Sequence, residues 1–262
     1  MPVPVELIHH TRPPVGSIVQ AVAVLRLLGT MNAGAGVTAI ARALGIGPSS
    51  CFNVLKTLVG EDLVAFDAVT KTYTLGLGTV DLAHRALGRD VLVQAAEAAM
   101  AALAHQHDAA IGLWRLAPGE RLVLVALAES DAATRIHMMV GQRQPAVAGA
   151  TGRAVLASRG LDDMTVNAAH AGLRWQNAPG AAEYLAQVRA AESRGFAMDI
   201  DQINRGIVTV ASTVIDQHGS LRFVLSASMF IGRDSTALDA IGWSVRDVAA
   251  KLGNGSGRGA GT

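Results

Sequence analysis

One cysteine, Cys51, stands among 262 residues, so no internal disulfide is possible and a reducing, cytoplasmic setting is expected. Long hydrophobic runs are missing as well. The longest, residues 122–128, is strand-sized and far short of the roughly 18 residues that span a bilayer, so no membrane partner is expected. The first ten residues lack the basic-then-apolar order of a secretory signal. Neither charge sign dominates, and a formal net charge of +1 gives no whole-chain case for nucleic acid. The sequence also contains no Gly-rich phosphate loop, nucleophile elbow or HExxH pattern. His105 and His107 would lie about 200° apart on a helix, which is no metal pair. Asp162 with Asp163, and Asp199 with Asp201, are carboxylate pairs of a common solvated or capping kind. No catalytic residue, metal or cofactor is therefore expected.

What the chain does have is apolar bulk. Half of it is hydrophobic and only 16% is charged, which fits a globular protein of one large or two ordinary domains.

The most informative stretch is VTAIARALGIGPSSCFNVLKTL, residues 37–58. It reads as two short helices joined by a sharp turn. Thr38 is placed to cap the first helix, on which Ile40 and Leu44 share a face. Gly45 supplies a left-handed helix end, Gly47 turns the chain, and Pro48 suits a first helical position. Cys51, Val54, Leu55 and Leu58 then form a buried stripe at i, i+3, i+4 and i+7. In that stripe Cys51 reads as inert packing rather than a nucleophile. The opposite face carries Ser49, Phe52, Asn53 and Lys56, with Ser50 at its edge. An apolar back and a front of small donors describe a helix-turn-helix that can enter a DNA major groove, although two-helix corners also occur as plain packing units.

The flanking segments extend this reading. Residues 1–15 form a Pro-rich arm. A helix over residues 17–30 places Ile18, Val22, Leu25 and Leu28 on one side. After Leu58, residues 63–66 and 71–75 read as two strands around a turn at 67–70, with Lys71, Tyr73 and Leu75 on one face. Three helices and a two-stranded ribbon make a winged helix-turn-helix, with Lys71 at a ribbon tip that would lie against the DNA backbone.

SIVQAVAVLRLL (17–28), TAIARALG (38–45), SSCFNVLKTL (49–58) and KTYTLG (71–76), in that order, resemble the IclR family of bacterial transcriptional regulators. The resemblance covers about residues 16–80 and resumes in the C-terminal half. One departure stands out: Asn53 occupies a recognition-helix position where members often carry Arg. Asn pairs with adenine and Arg with guanine, so the operator does not transfer from relatives.

Beyond Lys71 a linker helix is expected over residues 79–89, with a joint at Gly88 and a cap at Asp90. A long helix over 91–106 opens the second domain. Residues 109–116 and 121–128 read as a hairpin across Pro118 and Gly119, and 134–139 as a third strand. Helices follow over 148–157 and 181–193, a second hairpin over 206–215 and 221–229, and a closing helix over 235–252. Residues 159–180 carry no clear pattern, and the Gly-rich 253–262 reads as a disordered tail. The whole is an α+β chain: winged helix-turn-helix (1–78), linker helix (79–89), and a GAF-like α/β-sandwich effector domain (90–252).

Within that second domain, Ala150, Thr151 and Gly152 at a helix start offer unpaired backbone N–H groups suited to a carboxylate. Ser226 and Ser228 point to one face of their strand, and Thr209 lies on the neighbouring strand. The resemblance implies effector contacts at Ala150, Thr151, Asp199, Thr209, Ser226 and Ser228, and Met138 is added as an apolar wall. It implies a small organic acid, aliphatic or aromatic, as ligand. Its other implied partner is an operator duplex, met by Ser49, Ser50, Phe52, Asn53, Lys56 and Lys71. Residues 1–76 set five basic against four acidic side chains, a net of +1, so tight binding is expected to need a homodimer or homotetramer. Two other readings compete: an enzyme acting on a small acid with a vestigial N-terminal domain, and a winged-helix module for protein contacts.

Overall fold

The computed structural model describes residues 14–31, 33–87, 91–132, 134 and 136–255. The N-terminal arm up to residue 13, Gly88, Asp90 and residues 256–262 of the expected tail lie outside them. The chain divides into two compact units between Ala86 and Leu87.

The first unit comprises α1 (Gly16–Leu28), α2 (Val37–Leu44), α3 (Pro48–Gly60) and the ribbon β1 (Val64–Asp67) and β2 (Thr72–Leu75), antiparallel with Phe66 opposite Tyr73. Ala35 adds a single antiparallel bridge to Tyr73. The core is Val24, Leu28, Ile40, Cys51, Leu55, Leu58, Val64 and Tyr73, each buried. A fully buried aliphatic side chain of this kind contributes about 1.5–3 kcal/mol. The turn between α2 and α3 follows the sequence: Gly45 ends α2 at φ 64°, and Pro48 opens α3.

Three expectations in this unit are corrected. Thr38 is not a cap, because α2 starts two residues earlier than expected, with Gly36 at the cap position and Thr38 exposed. The buried side of α1 is Val24 and Leu28, with Ala21 and Leu25 half-buried, whereas Ile18 and Val22 face outward; the core meets the helix about one residue round from the stripe expected. Lys71 lies in the turn at φ 57°, not in the strand, so only Tyr73 of the expected face reaches the core.

Helix α4 (Gly78–Leu87) follows the ribbon in sequence. The second unit continues with α5 (Val91–His107), β3 (Ala110–Ala117), β4 (Arg121–Ala128), β5 (Arg143–Pro145), α6 (Gly149–Arg159), α7 (Asp163–Ala171) and α8 (Ala181–Arg194). It closes with β6 (Ala197–Ile200), β7 (Ile207–Ile215), β8 (Leu221–Phe230) and α9 (Ser235–Gly255). The six strands form one antiparallel sheet in the order β5-β4-β3-β8-β7-β6. Alternation in the strands separates its faces. Ile111, Leu113, Val208, Val210, Phe223 and Leu225 pack against α5 and α9, while Trp114, Leu122, Leu124, Ala211 and Val224 pack against α6 and Ala191 of α8.

Of the expected third strand, the described residues 134 and 136–139 are not in a strand. The chain reverses at Gly141 (φ 92°), and the segment that pairs with β4 is β5, a few residues later. Besides β5, two elements were not foreseen, namely α7, capped by Asp162 accepting from the N–H of Thr165, and the four-residue edge strand β6. The closing helix runs to Gly255 rather than residue 252, because its end packs against β7: a Cβ on Gly253 would sit 2.0 Å from the carbonyl oxygen of Ile215.

Candidate functional site

Every one of the seven positions singled out in the C-terminal half lines a single cavity of about 290 Å³ between the sheet, the start of α6 and the loop before β5. The sheet supplies hydroxyls. Thr209 and Ser228 are cross-strand partners with their oxygens 3.0 Å apart. Ser226, also on β8, accepts a hydrogen bond from the indole N–H of Trp114 at 2.9 Å. Each lies on the sheet face opposite the α5–α9 core, because strand side chains alternate.

Helix α6 supplies backbone donors. Its cap residue, Ala148, is extended and has no side chain to accept from the first turn. The N–H of Gly152 bonds to the Ala148 carbonyl at 2.8 Å. The free donors are therefore those of Gly149, Ala150 and Thr151, one residue earlier than expected, since an α-helix leaves its first N–H groups without helical acceptors. Gly152 has a packing role instead. A Cβ there would meet the Val147 carbonyl carbon at 1.9 Å, so only glycine lets the first turn approach that backbone.

Ser226 also donates to the Gly112 carbonyl at 3.4 Å, and two more of the expected side chains are already occupied. The Thr151 hydroxyl accepts from Gln144 Nε2 at 2.6 Å and donates to the Ala148 carbonyl at 3.1 Å. Asp199 accepts through Oδ2 from Arg153 at 2.7 Å and through Oδ1 from the N–H of Ile203 at 3.2 Å. Thr151 thus presents its backbone to the cavity, and Asp199 presents a carboxylate already neutralised by its neighbour. Met138 lines the cavity as expected, but from a loop, beside Ile136 and the exposed His137.

Arg153 is the residue that sequence reading missed. It is fully buried, donates to Asp199 and to Gln202 Oε1, and lies over the rings of Tyr184 (4.8 Å) and Trp175 (5.6 Å). Trp175 therefore stands behind the ion pair and does not line the cavity. Burial pushes the Tyr184 phenol up to about 12, with Arg153 opposing and Asp199 adding to the shift, so it stays protonated and donates to the Val147 carbonyl at 3.1 Å. A signal for Arg153 was present: it is a lone cation in the otherwise small or apolar run AVAGATGRAVLA. Long charged side chains are almost never fully buried unless paired, and the sequence does not show the partner.

In the N-terminal unit, Ser49, Ser50, Phe52, Asn53 and Lys56 all lie on the exposed side of α3. Cys51 is buried behind them; burial pushes its thiol up, away from reactivity. Lys71 is exposed at the ribbon tip. The tip is held by Asp67, whose carboxylate accepts from the N–H groups of Val69 (2.8 Å) and Thr70 (3.2 Å). Those bonds hold the Asp67 carboxyl below the usual carboxylate range. Among the described residues no cluster of three or more His, Cys, Asp or Glu is arranged to hold a metal, and no helix is long and apolar enough to cross a membrane.

Comparison with known proteins places both units. The model of the IclR helix-turn-helix domain matches residues 17–68, and that of the bacterial transcriptional regulator IclR C-terminal domain matches residues 84–254. The HTH-type transcriptional regulator TtgV of Pseudomonas putida is 24% identical over 244 residues, 91% of this chain and 92% of that one. A crystal structure of an IclR transcriptional regulator from Alicyclobacillus acidocaldarius is 26% identical, with a TM-score of 0.79 over 94% of this chain and 100% of that chain. An IclR homolog from Microbacterium hydrocarbonoxydans, solved with 4-hydroxybenzoate, shares the fold at a TM-score of 0.76 and 17% identity, over 90% of this chain and 97% of that one.

Proposed function

The chain belongs to the IclR family of bacterial transcriptional regulators, and on that premise we propose that it is a ligand-responsive one, binding a pseudo-palindromic operator as a dimer or tetramer and sensing a small organic acid in the cavity at the start of α6. The observation that carries the ligand half is the convergence of four separate segments on that cavity. Helix α6 brings uncapped N–H groups, β7 and β8 bring hydroxyls, and the loop before β5 brings Met138. A carboxylate accepts at the helix start, where the macrodipole favours negative charge. The Ser226 and Ser228–Thr209 hydroxyls then hold the remaining polar atoms, and Met138 and Ile136 cover the apolar body. About 290 Å³ suits a ligand of one ring or a short chain. The 4-hydroxybenzoate bound by the Microbacterium homolog makes an aromatic hydroxy acid the first compound to try.

Binding rather than catalysis is favoured by the hydroxyls' own partners. Ser226 accepts from Trp114, and Ser228 is bonded to Thr209, so neither is paired with a general base. For the DNA half, the small net charge of the reading head argues for two heads on one duplex.

The test is a mobility-shift titration on the DNA upstream of the protein's own gene, at two salt concentrations, with and without a panel of aliphatic and aromatic acids. Saturable, competitor-resistant binding that one acid displaces or tightens is the expected result. Specific DNA binding untouched by every acid, together with no calorimetric binding of any of them, would remove the ligand half. No specific complex with that DNA or with a genomic fragment library would remove the operator half.

A further inference from the structure

We propose that Asn53 reads an adenine in the operator and that Phe52 reads the methyl group of a neighbouring thymine, so that each half-site carries A·T pairs beneath the first two turns of α3. This rests on the operator-binding reading and goes on to name bases.

At 100° per residue, Ser49, Phe52, Asn53 and Lys56 occupy an arc of about 100° on α3. The helix is fixed behind that arc by Cys51, Leu55 and Leu58, so the arc is what the unit offers to a partner. Its four side chains differ in what they can distinguish. A serine hydroxyl both donates and accepts, so it bonds to any base or phosphate. A lysine ammonium is a point charge for phosphate or guanine. Only the amide of Asn53 sets a donor beside an acceptor, matching N7 and the 6-amino group of adenine in the major groove.

No hydrogen bond ties that amide to another described residue. Among the described residues the Asn53 contact is made by its backbone carbonyl, which accepts the Thr57 hydroxyl at 3.0 Å. Phe52 is 49% exposed and stays outside the core that buries Cys51 and Leu55 of the same helix. An aromatic ring on an otherwise polar reading face fits an apolar contact, and the thymine methyl is the apolar group of the major groove. Adjacent positions on α3 differ by about 1.5 Å in rise and 100° in direction, so the two side chains reach different, neighbouring base pairs.

The experiment is selection of bound duplexes from a random-sequence pool by the full-length protein, run in parallel with Asn53→Arg. The wild type is expected to enrich a half-site with adenine at one fixed position, and Asn53→Arg to replace that adenine with guanine while keeping the rest. In the selected duplex, 7-deazaadenine at that position is expected to weaken binding about tenfold or more. Deoxyuridine for the adjacent thymine should weaken the wild type but not Phe52→Ala. An unchanged consensus with Asn53→Arg, or indifference to 7-deazaadenine, overturns the assignment. A specific guanine lost only in Lys56→Ala overturns it in favour of the lysine. If the wild type enriches no sequence, the operator reading fails and this inference falls with it; a selected site with the wrong bases defeats the inference alone.

Discussion

Arg153 and Asp199 meet at 2.7 Å with the arginine side chain fully buried and the aspartate almost so, joining the first turns of α6 to the edge strand β6. Desolvating two charges costs several kcal/mol each, and the pair is tolerable because Gln202 and the Ile203 N–H take up further bonds.

Removing one member should therefore be far worse than removing both. Arg153→Met is expected to lose about 3–5 kcal/mol of folding stability by leaving Asp199 buried and unpaired. The double variant Arg153→Met with Asp199→Leu should recover much of that loss. Urea denaturation of the four proteins closes the cycle; equal losses in the single and double variants would show that the pair is not what Arg153 is buried for.

Ser226→Ala should cost about 1–3 kcal/mol, because the indole N–H of Trp114, itself buried, would lose its acceptor. Ser228→Ala should cost less, since Thr209 is free to turn its hydroxyl into the cavity. The two variants separate the structural role of Ser226 from a ligand-binding one: both should weaken the effector, only the first should lower the melting temperature appreciably.

Gly152→Ala is expected to destabilise by about 1–3 kcal/mol or more through overpacking against the Val147 backbone, a clash that no rotamer relieves. Because the displaced turn holds the free N–H groups, acid binding should fall further than stability alone explains. Calorimetry at a temperature where the variant remains folded checks this.

His107 gives the protein a pH dependence. Burial, with the Arg233 charge, lowers its pKa below the 6.5 of the free group. Below pH 6.5 the unfolded chain takes up this proton before the folded one does. The contribution of His107 is thus intact above 6.5 and is lost as pH falls through the lowered folded value. Denaturation midpoints measured from pH 7.5 to 5 should decline, and His107→Gln should flatten that part of the curve.

The helix pair and its ribbon were legible because each signal there is local. Gly45 can end a helix by itself, Pro48 can start one, and the Cys51–Leu55–Leu58 stripe fixes which face of α3 is buried. The two long hairpins were legible for the same reason, as alternating runs around turn residues. Residues 134–139 misled because their composition suits a strand, yet strand formation needs a free edge in register, and β4 takes up β5 instead. Likewise α7 and β6 are short, and packing against α8 and β7 decides them more than their own preferences.

The sequence by itself determined the helix pair and its ribbon, the two long hairpins, the exposed face of α3 and the kinds of atom available to a ligand, since these follow from spacing and side-chain chemistry. Only the tertiary structure decided that Thr209, Ser226 and Ser228 face the start of α6 across one cavity. It alone showed that the hydroxyl of Thr151 and the carboxylate of Asp199 are already engaged, and that Arg153 is buried to neutralise the latter. A residue's hydrogen-bonding capacity is written in its name, but whether that capacity is spent depends on distant partners, as Ser226 depends on Trp114, 112 positions away.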